Sequence, residues 1–131
     1  FLGKKDYQQL FLIKKHIKKR KIKSKIIECN TVRDKNGVAC SSRNLKLNKY
    51  QMEIASNIYY YLYNLKKKIS KNYNLFEISK IKKDLIYLGA NKVDYLENYN
   101  IKNFKKIKKT NKKFNLFFAY YIKNTRLIDN I

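Results

Sequence analysis

Proline and tryptophan are absent, glycine occurs three times, cysteine twice, and histidine and methionine once each. One histidine, His16, and two cysteines without C-x-x-C spacing, Cys29 and Cys40, make neither a metal-ligand set nor a disulfide framework. No metal site is expected, and both cysteines read as reduced thiols of a cytoplasmic protein. The longest wholly apolar run, residues 116–122, falls far short of the roughly 20 residues a membrane helix needs. No span and no secretory signal is visible. The chain opens on Phe1 rather than Met, and so reads as the remainder of something longer.

Acidic residues are also scarce, 9 against 32 Lys and Arg, for a formal charge of +23 on 131 residues. Such a balance is the footprint of a nucleic-acid binder. Yet all the cations except Arg20, Arg33, Arg43 and Arg126 are Lys, and they are spread through almost every segment. A selected phosphate-binding surface is more clustered and richer in Arg, whose planar fork pairs bidentately. Lys, Asn, Ile, Tyr and Phe share A- and T-rich codons, and genome-wide base bias accounts for the pattern. The expectation is weak, indiscriminate attraction to polyanions that collapses with salt. A basic RNA-binding module, with Lys on phosphates and Tyr stacked on bases, is the rival reading. A decayed gene product that folds poorly is a third.

Periodicity predicts an amphipathic helix over residues 7–20, with Leu10, Ile13 and Ile17 on one face and a D-x-x-Q capping box from Asp6 and Gln9. A short strand is expected over 25–28. Residues 31–33 and 38–40 flank Asp34-Lys35-Asn36-Gly37, whose Asn-Gly suits a tight hairpin. From Asn48, with Gln51 three residues on, a second helix places Ala55, Ile58, Leu62 and Leu65 on one face. A third is expected from Asn74, with Glu77 at the box position and Tyr73 and Ile78 as a staple, ending at Gly89. Strands are expected over 92–97, 114–122 and 126–128, the last two joined through Lys123-Asn124-Thr125. The first β-α-β piece is too small to close a core alone. A boundary therefore falls near Asn44, between the tail of a larger nucleotide-type domain (1–44) and a small α+β unit (45–131), for an overall α/β class.

Two polar motifs stand out from this background. In Gly3-Lys4-Lys5-Asp6-Tyr7-Gln8-Gln9, glycine permits close backbone approach, Lys5 offers a mobile cation, and a helix N-terminus follows. In Ser41-Ser42-Arg43-Asn44, hydroxyls stand beside a guanidinium just past a strand, a grouping that grips polyphosphate. Each also has a plain structural reading, as a helix cap and as a solvated loop.

Taken in order and at this spacing, the motifs resemble the pantothenate synthetase (pantoate–beta-alanine ligase) family. That family carries G-E-K-D-x-Q-Q at a helix start, then V-P-T-x-R and D-G-x-A-x-S-S-R-N. Thr31-Val32-Arg33 and Asn36-Gly37-Val38-Ala39-Cys40-Ser41-Ser42-Arg43-Asn44 answer the last two, no gap is needed, and Thr125-Arg126-Leu127-Ile128-Asp129-Asn130 resembles the near-terminal A-R-L-I-D-N. The resemblance implies a Rossmann-like nucleotidylyl-transferase domain ending at 44, a lid domain over 45–131, and an adenylating ligase using ATP, with Mg²⁺, to join pantoate and β-alanine. It places Gly3, Lys4, Lys5 and Asp6 along the ribose and phosphates of ATP, Val32 by the adenine, and Cys40, Ser41, Ser42 and Arg43 in a second phosphate clamp. Gln9 would hold pantoate. It also implies a homodimer whose interface lies largely upstream.

Three departures from the family pattern concern the site: Lys4 stands for Glu, Cys29-Asn30 for Val-Pro, and Cys40 for an apolar residue. The family's M-G-x-L-H-x-G-H segment, whose histidines serve the ATP phosphates, is not in this sequence. No catalytic residue is therefore expected in the chain, His16 included, and none of the ligase activity from these 131 residues alone.

Overall fold

The computed structural model describes residues 1–109 and 113–131. The elements are β1 (Leu2–Gly3), α1 (Tyr7–Arg20), β2 (Glu28–Cys29), α2 (Lys49–Ile69), α3 (Ile78–Tyr87), β3 (Lys92–Asn100), β4 (Phe114–Ile122) and β5 (Thr125–Asn130). β1 and β2 pair in parallel, Leu2 opposite Glu28 and Gly3 opposite Cys29, with α1 as the crossover. β3, β4 and β5 form an antiparallel meander in that order.

β4 decides the layering. Alternation along a strand sends successive side chains to opposite faces. Phe114, Leu116, Phe118, Tyr120 and Ile122 join Ile58, Leu62, Ile81 and Leu85 of α2 and α3 in one buried cluster. Phe117 points the other way, its ring 5.9 Å from that of Tyr7 and 5.5 Å from that of Phe104, and Phe104 stacks on Tyr99 at 4.5 Å. This aromatic layer seats α1, which buries only Leu10 completely. A hydrogen bond from the Tyr7 hydroxyl to the Ile101 carbonyl, 2.5 Å, fastens the helix start to the sheet side. Val38 from the 31–40 segment also packs into the α2/α3 cluster.

Most elements stand where the pattern puts them, and the exceptions have local causes. The Asn48–Gln51 capping box forms with both reciprocal bonds at 2.9 Å. The Asp6–Gln9 box does not: the chain enters α1 through a 3₁₀ turn, Lys4–Asp6, and Asp6 makes no side-chain cap bond. The third helix starts at Ile78, not at Asn74. Its expected first turn is a separate 3₁₀ turn, Tyr73–Leu75, capped by Asn72. Tyr73 is held there by tertiary bonds, its hydroxyl donating to the Ile107 carbonyl and accepting from Asn98 Nδ2, both at 2.8 Å. The strand expected over 25–28 is shorter and later. The 31–40 hairpin reduces to one bridge, Arg33 with Ala39, flanked by bonds from the Cys40 amide to the Val32 carbonyl and from the Asp34 amide to the Val38 carbonyl, both at 2.9 Å. β3 and β5 both outrun their expected ends, to Asn100 and Asn130.

Gly89 closes α3 at φ +112, and a Cβ added there would lie 2.8 Å from Ile54 Cδ1. Gly89→Ala is expected to cost about 1–3 kcal/mol, read as a lower urea midpoint with an unchanged slope.

Candidate functional site

The two polar motifs meet in space, joined between Lys5 and Cys40, which lie 35 residues apart in sequence. Parallel pairing of β1 with β2 sets the first motif at the end of one strand, and the 31–40 turn returns the chain so that the second follows beside it. Lys5 Nζ donates to the Cys40 carbonyl at 3.0 Å. Lys5, Ser41, Arg43 and Asn44 then line a small recess of about 20 Å³ against Tyr59 and Asp129. Lys5 and Asp129 also line a larger groove of about 610 Å³, which takes in Asp6, Gln9, Tyr95 and Glu97.

Within the second motif, Ser41 Oγ accepts from the Arg43 amide at 3.3 Å and caps the 3₁₀ turn Ser42–Lys46. Ser42 and Arg43 project into solvent, and Cys40 is an exposed free thiol. Asn44 donates to the Ala39 carbonyl at 3.1 Å, while its buried Oδ1 has no donor among the described residues. A buried acceptor without a donor is costly. Asn44 lines the same recess as Lys5 and Arg43.

Not every residue named from the sequence joins these walls. Gly3 has φ −76, an ordinary extended value, and a Cβ there would meet nothing within 4 Å. Neither packing nor backbone conformation therefore demands glycine at this position. Lys4 turns back to β2, with Nζ 2.9 Å from Asn30 Oδ1 and 3.9 Å from Glu28. Two departures from the family pattern, Lys4 and Asn30, thus bond to each other. Glu28 also pairs with Lys14, and that hydrogen bond holds its carboxyl below the ordinary carboxylate range. Val32 is 71% exposed and lines neither recess. Gln9 is exposed on α1, in the groove that Lys5 enters.

Sequence reasoning missed the groups that hold the walls in place. Arg33 makes a bidentate pair with Asp129, Nη1 to Oδ2 at 2.5 Å and Nη2 to Oδ1 at 3.1 Å. Burial pushes the Asp129 carboxyl above its ordinary range, and the Arg33 hydrogen bond and charge oppose this. Burial likewise raises the Tyr95 hydroxyl in the groove, whereas the Lys106 hydrogen bond lowers Glu97. Both residues fall within motifs that resemble the family's, but nothing in the spacing pairs Arg33 with Asp129. Among the described residues no three His, Cys, Asp or Glu side chains converge as metal ligands, and no helix is long and apolar enough to cross a membrane.

A family profile described as "Pantoate-beta-alanine ligase" matches residues 1–131. The chain belongs to the pantoate-beta-alanine ligase family. It is 36% identical over 133 residues to a pantothenate synthetase of Caldicellulosiruptor saccharolyticus, covering 100% of this chain and 47% of that protein. To the pantothenate synthetase of Buchnera aphidicola it is 39% identical over 132 residues, covering 99% of this chain and 46% of the relative. A crystal structure of the Francisella tularensis ligase, complexed with beta-gamma ATP and beta-alanine, superposes at TM-score 0.68 with 34% identity, over 99% of this chain and 41% of that one. The Thermus thermophilus enzyme shares the fold at TM-score 0.77 and 22% identity, over 98% of this chain and 47% of its own. This member of the ligase family thus spans about half the length of the curated relatives it matches.

Proposed function

We propose that this chain contributes one wall of the ATP site of a ligase that condenses pantoate with β-alanine. The observation that carries the reading is the Lys5–Cys40 bond, which closes the two motifs around one recess with Arg43 on its rim. In the first step the pantoate carboxylate attacks the α-phosphate, an O–P bond forms, and pyrophosphate leaves. In the second the β-alanine amine attacks the acyl carbonyl, loses a proton, and AMP departs with the former carboxylate oxygen. Such chemistry needs in-line positioning and stabilisation of the charge that builds on the leaving pyrophosphate.

Lys5 and Arg43 supply that charge, with the hydroxyls of Ser41 and Ser42 as neutral donors beside them. Gly3 gives the nucleotide access to backbone, Lys4 and Asp6 flank the ribose and phosphates, Val32 meets the adenine, and Cys40 holds Lys5 through its carbonyl. Gln9 holds pantoate across the groove. Mg²⁺ bound with ATP would further neutralise the phosphates; among the described residues no three His, Cys, Asp or Glu side chains converge to hold it. Residues 1–44 act as the last segment of a Rossmann-like nucleotide domain and 45–131 as the lid, in a cytoplasmic homodimer.

Pantoate-dependent exchange of labelled pyrophosphate into ATP tests the reading. Exchange is expected from the protein expressed from its complete reading frame and not from the 131-residue chain alone. No exchange by the former would sink the proposal.

A further inference from the structure

Asn130 ends β5 and is 5% exposed. Both ends of its side-chain amide are engaged: Nδ2 donates to the carbonyls of Lys4 and Lys5, both at 2.8 Å, and Oδ1 accepts from Asn115 Nδ2 at 2.9 Å. A primary amide has two N–H donors, and here both go to consecutive carbonyls of the turn that opens the first motif. Two carbonyls bonded to one amide nitrogen must converge on it. That fixes the peptide planes on both sides of the Lys5 Cα, and with them the direction in which the Lys5 side chain leaves the backbone.

The second motif hangs from the same place. Asp129, one residue earlier, holds Arg33, and Arg33 Nη2 also donates to the Asn130 carbonyl at 3.1 Å. Arg33 sits across from Ala39, at the base of the segment that delivers Cys40 to Arg43. The Lys5–Cys40 bond closes the circuit.

We infer that Asn130 is a positioning residue of the nucleotide site, acting through the backbone of Lys4 and Lys5 to hold the Lys5 ammonium in register with Arg43. The inference rests on the ATP-site reading above. Asn130 is bonded to the clamp's backbone, and contact with the nucleotide is left to Lys5.

Steady-state kinetics on the protein from its complete reading frame test this, with Asn130→Ala and Asn130→Asp compared with Leu62→Ala. The aspartate keeps the shape and the acceptor for Asn115 but turns an oxygen toward the two carbonyls. Leu62 is a fully buried residue of α2 that lines neither the recess nor the groove, so its variant reports what general loosening does. Both Asn130 variants are expected to raise the ATP KM by about 10–100-fold, with the β-alanine KM unchanged. Leu62→Ala should lower kcat with the folded fraction and leave the ATP KM alone. An unchanged ATP KM in the Asn130 variants, or an equal rise in Leu62→Ala, overturns the inference. So does failure of both Asn130 variants to fold, which would make the residue purely structural. A wild-type protein without ATP-dependent activity would instead refute the ATP-site reading on which the inference stands.

Discussion

Arg33→Ala is expected to cost about 3–5 kcal/mol of stability at neutral pH, because it strands a buried carboxylate. The side chains of Arg33 and Asp129 are 20% and 9% exposed. Beyond the bidentate pair, Arg33 donates to the Gly37 carbonyl at 3.1 Å and its guanidinium lies 4.6 Å from the centre of the Tyr59 ring. Substitution removes all of these and leaves Asp129 without its bidentate partner. Burial already pushes that carboxyl up, and Arg33 is what pulls it back. Without Arg33 its folded pKa climbs further above the unfolded value. A group of that kind stabilises most below its unfolded pKa and loses its contribution as pH rises through the folded one. The deficit of the variant should therefore be largest near neutrality and shrink as pH falls toward about 4. Urea denaturation of wild type and variant across that range measures it, and a deficit that stays constant with pH would show that the stranded charge is not the cause.

Arg43→Ala is expected to lower kcat/KM for the ATP-dependent reaction by about 10²–10³, or about 3–4 kcal/mol of transition-state stabilisation. The guanidinium is exposed, and the turn that carries it is held by Ser41 Oγ and by backbone bonds rather than by the Arg43 side chain. Melting temperature should stay at the wild-type value while activity falls. Arg43→Lys keeps the charge without the fork and should recover only part of the loss. Full activity in the alanine variant would remove Arg43 from the site.

Local rules made much of the fold legible. α2 is announced by Asn48 and Gln51, β4 by its apolar run, and the end of α3 by Gly89. Rules failed where distant contacts override them. Asp6 and Gln9 fit a capping box, but the carbonyls of Lys4 and Lys5 are drawn to Asn130, more than 120 residues away, and the chain enters α1 as a 3₁₀ turn instead. Asn74 and Glu77 fit another, but the Tyr73 hydroxyl is bonded to Asn98 and Ile107. For the site, motif order sufficed to nominate Lys5 and Arg43, because their chemistry is in their side chains. Asn130 and Arg33 stand in motifs the sequence also shows, but they act through partners that no spacing rule connects, so their roles were not legible there.

The bond between Asn130 and Lys4 joins positions 126 apart in a chain of 131 residues. It closes a loop that takes in α1, α2, α3 and the whole meander. Bringing the ends of so long a loop together costs about 4 kcal/mol of chain entropy, set by the contour between them and not by the residues that touch. The geometry of Lys5 is thus underwritten by every packed layer along that contour, from the aromatic seat of α1 to the last residue of the meander. A nucleotide that tightened this corner would be gripping the turn before α1 and the last strand of the meander at once.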